Sequence, residues 1–286
     1  MRVSINVTNY SWPSGALHLP ADLATIAGAA EQAGLDTLWV SDHMVQADPT
    51  AGPHERDMLE AYTVLGYLAG RTSRIRLGAM VSAVTFREPA VLVKAVTTLD
   101  VLSGGRAWLG IGAGYHGAEA EAMGLPQPPI RERFERLEET LQIAERMWQQ
   151  DCSAFAGAHY RLGEPVGVPA PITGPRPPVL IGGAGEKRTL RLVAQYADAC
   201  NLFDIPDGGQ TVRHKLDILR QHCADANRPY DDIEKTLSTR LSPGESAASF
   251  ATRAAEAAEL GIEHLIAITP GPWTVPAIET LQEAAA

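Results

Sequence analysis

Eight short apolar runs recur along the whole chain, and helix-length patterns stand between them. The runs are Arg2 to Asn6, Thr37 to Val40, Ile75 to Met80, Ala107 to Ile111, Val179 to Ile181, Ala199 to Phe203, Glu234 to Thr239 and His264 to Ile268. They are continuous rather than alternating in polarity, which predicts strands buried on both faces of a parallel sheet. Eight is also the number that closes such a sheet on itself. The fold class expected is therefore α/β, a (β/α)8 TIM barrel, and 286 residues suit one such domain spanning 1–286. Two junctions are nearly the same phrase: Ala33-Gly-Leu-Asp-Thr-Leu-Trp-Val40 is echoed by Leu260-Gly-Ile-Glu-His-Leu-Ile-Ala267, as if one unit were reused. An open doubly wound sheet is the rival, but the first strand-to-helix turn carries no dinucleotide fingerprint.

The stretch from Leu77 to Tyr115 shows the unit most clearly. Leu77-Gly-Ala-Met80 ends in small and hydroxyl residues, Pro89 opens a helix, Gly104-Gly105 closes it, and Ala107-Trp-Leu-Gly-Ile111 breaks into Gly112-Ala-Gly114. Within that helix Leu92, Val96, Leu99 and Leu102 are expected to cover one side of the sheet. A strongly amphipathic helix is predicted from Arg131 to Gln149. The following residues, 151–178, lose the rhythm and are rich in Pro and Gly; they read as an insertion between the fourth and fifth strands, with a small hairpin at Phe155 to Tyr160 and a lid over the barrel mouth as the expected role.

Composition narrows the function. A net charge of −10, with basic residues scattered among acids, argues against nucleic acid. No apolar stretch approaches the roughly 20 residues of a membrane helix, and Met1 to Val7 reads as a strand rather than a signal, so a cytoplasmic protein without membrane contact is expected. Cys152, Cys200 and Cys223 form no paired motif. His18, His54, His116, His159, His214, His222 and His264 show no ligand spacing, so no metal is expected. Hydrolase elbows and phosphate-transfer loops are missing from the sequence.

Small and titratable residues collect where strands end, which is where barrels bind ligands. Asp42 and His43 follow the second strand, and an imidazole beside a carboxylate can give or take a proton near neutrality; a polar pair capping a strand is the plainer reading. Ala79-Met-Val-Ser82 and Gly112-Ala-Gly114 let a flat ring approach the main chain, although either could be only a tight turn. Ile181-Gly-Gly-Ala-Gly185 precedes a helix predicted from Arg188 to Ala197, and successive amides at a helix start bind phosphate.

Together, Trp39-Val-Ser-Asp-His43, Leu77 to Ala90, Leu99 to Arg106, Leu109 to Gly114 and Pro178-Val-Leu-Ile-Gly-Gly183 resemble the bacterial luciferase-like monooxygenase superfamily, in particular its coenzyme F420-dependent oxidoreductase branch. The resemblance implies a homodimeric barrel that binds F420, with FMN as the alternative, and that transfers a hydride to or from a small-molecule substrate. It implies His43 as proton donor or acceptor and Asp42 as a catalytic and ring-contacting group. It implies a non-proline cis peptide at Met80-Val81, with Ser82 beside it, and a cofactor lined by Gly112, Ala113, Gly114 and Tyr115, its phosphate held by Gly182, Gly183 and Ala184. The sugar-phosphate dehydrogenases of the branch carry a catalytic glutamate where Tyr115 stands here. An FMN monooxygenase served by a separate reductase, and a cofactor-binding protein without turnover, are the other readings.

Overall fold

The computed structural model describes residues 1–285. Its main sheet is a closed ring. In chain order the strands are β1 (Arg2–Val7), β2 (Thr37–Val40), β3 (Arg76–Ala79), β4 (Ser82–Ala83), β5 (Ala107–Gly112), β6 (Phe155–Ala156), β7 (Arg161–Leu162), β8 (Val179–Gly182), β9 (Ala199–Phe203), β10 (Glu234–Arg240) and β11 (His264–Ile268). Pairing runs β1, β2, β3, β5, β8, β9, β10, β11 and back to β1, every contact parallel. This is the eight-stranded barrel expected from the apolar runs. The helices are α1 (Leu19–Gln32), α2 (Ala61–Ala69), α3 (Pro89–Ser103), α4 (Gly117–Met123), α5 (Ile130–Trp148), α6 (Thr189–Tyr196), α7 (Gln210–Asp225), α8 (Ala247–Glu259) and α9 (Val275–Ala285).

Strand alternation separates two cores. Val3, Ile5 and Val7 of β1 and Leu38 and Val40 of β2 join the helix residues Leu23, Ile26, Leu65 and Leu92 in one large cluster outside the ring. The intervening positions face inward, where Trp39, Trp108, Leu180, Ala199 and Ile266 form a second cluster with Met80 and Val81 packed against it. Glycine makes room for this inner core. A methyl on Gly78 would stand 2.6 Å from the Trp39 ring and 2.8 Å from Trp108 Cβ, and one on Gly110 would stand 1.8 Å from the carbonyl oxygen of Ala79.

Below the tryptophans the interior is polar. Ser4 Oγ lies 2.6 Å from His264 Nε2, and His264 Nδ1 lies 2.6 Å from Glu234 Oε1, which pairs with Arg2 at 3.0 Å. The order serine, histidine, carboxylate imitates a hydrolytic triad. Ser4 is completely buried, however, and it receives the amide hydrogen of Thr37, so this network ties β1, β2, β10 and β11 together at the barrel's N-terminal end.

Two expectations need correction. In α3, Leu102 is 67% exposed while Val93 is buried, because ten residues of helix carry position 102 about 80° around the axis from Leu92. The segment 151–178 contains the small antiparallel hairpin β6–β7, but it packs along the outside of the barrel. Glu139 of α5 accepts the amides of Ala158, His159 and Tyr160, and Asp100 of α3 accepts those of Ile172 and Thr173. None of its residues lines the mouth cavity, so the covering role expected for it has no support in this packing.

The glycines give a direct test. Gly110→Ala is expected to lower unfolding free energy by about 3 kcal/mol or to prevent folding, because backbone lies in the way. Gly66→Ala, on the exposed face of α2 with nothing within 4 Å, is expected to raise it by about 0.5–1 kcal/mol. Denaturant melts of the two variants check both.

Candidate functional site

The C-terminal strand ends surround a cavity of about 930 Å³. His43, Met80, Val81, Gly112 to Tyr115 and Gly182 to Gly185 all line it. The imidazole and the glycine-rich turn before α6 therefore share one chamber.

A bulge forms its floor. Gly78 pairs with Trp108 and Ser82 with Ile111, so four steps along one strand match three along the other. The extra residue falls at Met80-Val81, whose peptide bond is cis. Val81 is wedged between two strand ends: a methyl on Gly112 would lie 3.0 Å from its Cγ2, and one on Gly182 2.9 Å away. The inner tryptophan core supports the bulge from beneath.

Asp42 and His43 are neighbours with different tasks. Asp42 is 1% exposed, and Arg87 Nη2 lies 3.0 Å from its Oδ1, while Oδ2 accepts from Arg87 Nη1 and, at 2.6 Å, from Ser82 Oγ. Tyr62 OH is 3.1 Å from the same serine oxygen. With both oxygens engaged, this carboxylate ties the start of the loop after β2 to Arg87 and to the Ser82 end of the bulge. Arg87 also pairs with Glu60, the N-cap of α2. Burial pushes the Glu60 carboxyl up, but hydrogen bonds from Thr63, Arg87 and Tyr62 outweigh it and hold the group at about 2, against an ordinary 4.5.

His43 is held by a residue that sequence reasoning missed. Its Nδ1 lies 2.7 Å from Glu119 Oε2, and a carboxylate can only accept, so Nδ1 carries the hydrogen and Nε2 is left as the acceptor, in a residue that lines the cavity. Glu119 is buried, and its Oε1 accepts from the amides of Met44 and Val45. Its own amide donates to His116 Nδ1, the N-cap of α4, at 3.0 Å. Thus a seven-residue helix is stapled to the loop after β2. Tyr115 OH stands 3.4 Å from His43 Nε2, with the two rings edge to face at 5.7 Å. Partial burial, then the charges of Glu119 and Asp48, raise the phenol's pKa and keep its hydrogen available.

The two glycine turns differ in what they offer. Arg133 of α5 donates to the carbonyls of Gly114 and Ala113, which fixes that turn from behind. In the second, Gly183 has φ +109° and gives its amide to the Asn201 carbonyl at 3.4 Å. The amides of Ala184 and Gly185 make no backbone hydrogen bond among the described residues. Thr85 Oγ1 and Asn6 Oδ1 also line the cavity, buried without a partner. A flat ring over the bulge, polar atoms at its rim and a phosphate at the start of α6 are what this chamber can accept.

The sequence model of the family described as luciferase-like monooxygenase matches residues 1–284. The chain is 32% identical over 235 residues to an F420-dependent glucose-6-phosphate dehydrogenase of Amycolatopsis mediterranei (strain U-32), covering 78% of this chain and 65% of that protein; it thus spans just under two thirds of that relative's length. The fold is shared with an F420-dependent secondary alcohol dehydrogenase solved in complex with an F420-acetone adduct, at TM-score 0.84 and 16% identity over 99% of this chain and 97% of that one. It is shared too with a coenzyme F420-dependent tetrahydromethanopterin reductase from Methanopyrus kandleri, at TM-score 0.81 and 18% identity over 98% and 97%.

Because the folded Glu60 titrates near 2 and the unfolded one near 4.5, its contribution to stability is present above pH 4.5 and is lost as pH falls toward 2. Glu60→Gln is expected to flatten the fall in melting temperature across that window and to leave its slope at neutral pH unchanged.

Proposed function

The chain belongs to the luciferase-like monooxygenase family, and from that premise we propose that it is a coenzyme F420-dependent oxidoreductase acting on a small organic substrate. The observation that carries the reading is the placement of His43, whose Nε2 meets only the Tyr115 hydroxyl and which lines the same chamber as the glycine turns and the Met80-Val81 bulge. When bound, the deazaflavin supplies a carbon that gives or takes a hydride. The chain's residues fit such a group: Met80 and Val81 offer a platform, held from below by the buried Ser82, Gly112 to Gly114 a wall without bulk beside the Tyr115 ring, and Ala184 and Gly185 free amides for its phosphate. The names of the relatives support F420 over FMN.

His43 then moves the proton that accompanies hydride transfer. Glu119 holds Nδ1 and so presents Nε2 to a substrate oxygen, with Tyr115 OH able to donate to the same point. Asp42 acts as a positioning residue, through Arg87 and Ser82.

Fluorescence titration of purified protein separates the cofactors: micromolar or tighter binding of F420 with no comparable binding of FMN is expected, and the reverse result refutes the proposal. His43→Ala should keep F420 affinity and lose roughly 10²–10⁴-fold in kcat. Glu119→Ala should lower kcat by on the order of 10²-fold with little change in KM. Glu119→Gln, whose one amide oxygen can accept from Nδ1 only by turning its NH2 toward the amides of Met44 and Val45, should recover only part of that loss, and a lower kcat at unchanged KM and unchanged melting temperature is the result that a purely structural role for Glu119 would not produce.

A further inference from the structure

The cavity holds an unusual balance of charge for a protein that is similar to dehydrogenases of a phosphorylated sugar. Its walls carry three carboxylates, from Asp42, Asp48 and Glu119, and one permanent cation, Arg240. None of the three acids is free. Asp42 is taken by Arg87 and Ser82, Glu119 by His43 and two amides, and Asp48 by Arg240. The last pairing is a fork: Arg240 Nη2 lies 3.0 Å and Nη1 3.3 Å from the two oxygens of Asp48, and Nη1 also reaches Thr50 Oγ1 at 3.2 Å. Asp48 lies in the loop after β2, and its side chain is only 5% exposed. Turning Arg240 toward a substrate anion would leave that carboxylate desolvated and without its counter-charge. Lys187 and Arg188, next to the turn before α6, do not line the cavity.

Uncharged polar side chains such as Gln46, Gln127, Asn201 and Ser238 interrupt the remaining wall, but most of its exposed surface is apolar. Met58, Phe86, Ile130, Phe134, Phe203 and Ile268 line the chamber, and Phe203 and Ile130 are about half exposed at its rim, where an entering molecule meets them first. From this we infer that the substrate held beside His43 is an uncharged, largely apolar alcohol or carbonyl compound, and that sugar phosphates are excluded because the one cation on the wall is already neutralised by Asp48. The inference rests on the F420 reading only for the nature of the bound cofactor. The pocket discriminates by an uncompensated anion, which is a stronger bar than a poor apolar fit.

The test separates the two readings. Coenzyme F420 is first titrated into the protein; failure to bind refutes the cofactor assignment and leaves the wall chemistry to be probed in the free protein by tryptophan fluorescence. With F420 bound, a panel of four- to eight-carbon secondary alcohols and ketones and, separately, glucose 6-phosphate are titrated, with quenching of cofactor fluorescence as the readout. Members of the apolar panel are expected to bind at least about tenfold more tightly than the sugar phosphate. A panel that binds no better than glucose 6-phosphate overturns the inference. Asp48→Asn supplies the internal control: release of Arg240 should strengthen binding of inorganic phosphate and of glucose 6-phosphate several-fold over the unsubstituted protein. No gain on that substitution, with the fold intact by circular dichroism, also counts against it.

Discussion

The constraint on which the site depends is a lack of side chains at two strand positions. Gly78 leaves the space that the Trp39 ring and Trp108 Cβ fill, and Gly110 the space of the Ala79 carbonyl, while the two tryptophan rings stand with centroids 5.7 Å apart inside the ring of strands. Those rings, with Leu180, Ala199 and Ile266, make a solid layer across the barrel. The bulge at Met80-Val81 rests directly on the layer, so the platform for a ring is set by core packing rather than by a loop that could drift. A close-packed interior resists small displacements, and this rigidity is transferred to the floor of the chamber.

The two ends of the barrel show how position decides chemistry. At the bottom, Ser4, His264 and Glu234 are joined by 2.6 Å contacts and closed off from solvent; at the top, Glu119 and His43 are joined at 2.7 Å, but the second imidazole nitrogen opens into a cavity. The residue types and spacings are alike. Only the upper pair has room for a reacting molecule, and only it lies among amides and carbonyls not yet satisfied. A histidine with both nitrogens committed stabilises the fold, while a histidine with one nitrogen free can take part in a reaction.

Much of the barrel was legible in the sequence because a parallel strand buried on both sides must be an unbroken apolar run, and this chain has eight. The strand-end glycines and Asp42-His43 were legible for a related reason: close approach of backbone demands glycine, and polar residues directly after an apolar run stand out. Glu119 was not. It sits in a seven-residue helix with no strong periodicity, 76 positions from its partner, and no local rule links the two. The task of Asp42 was equally hidden, since Arg87 and Ser82 meet it only after β2 and the bulge are brought side by side. The segment 151–178 misled because Pro-rich irregular chain suggests a mobile cover, whereas Glu139 and Asp100 supply acceptors that bind its amides to the outer helices.

The division of labour within the chamber explains how one scaffold can keep a cofactor and change what it acts on. The groups suited to the deazaflavin are strand ends and backbone amides, fixed by barrel closure and by glycines that tolerate little change. The groups that would meet a substrate come largely from loops, short helices and one strand end: Asp48 and Met58 after β2, Tyr115 to Ile130 around α4, and Phe203 at the end of β9. Loop positions can be exchanged at little cost to the core. Electrostatics still links the two sets, because Asp48 and Glu119 both lie in or beside the segment that carries His43. On the proposed reading, a change of substrate charge would therefore require a change in the loop that also presents the imidazole, which would couple selectivity to proton transfer through residues 43 to 48.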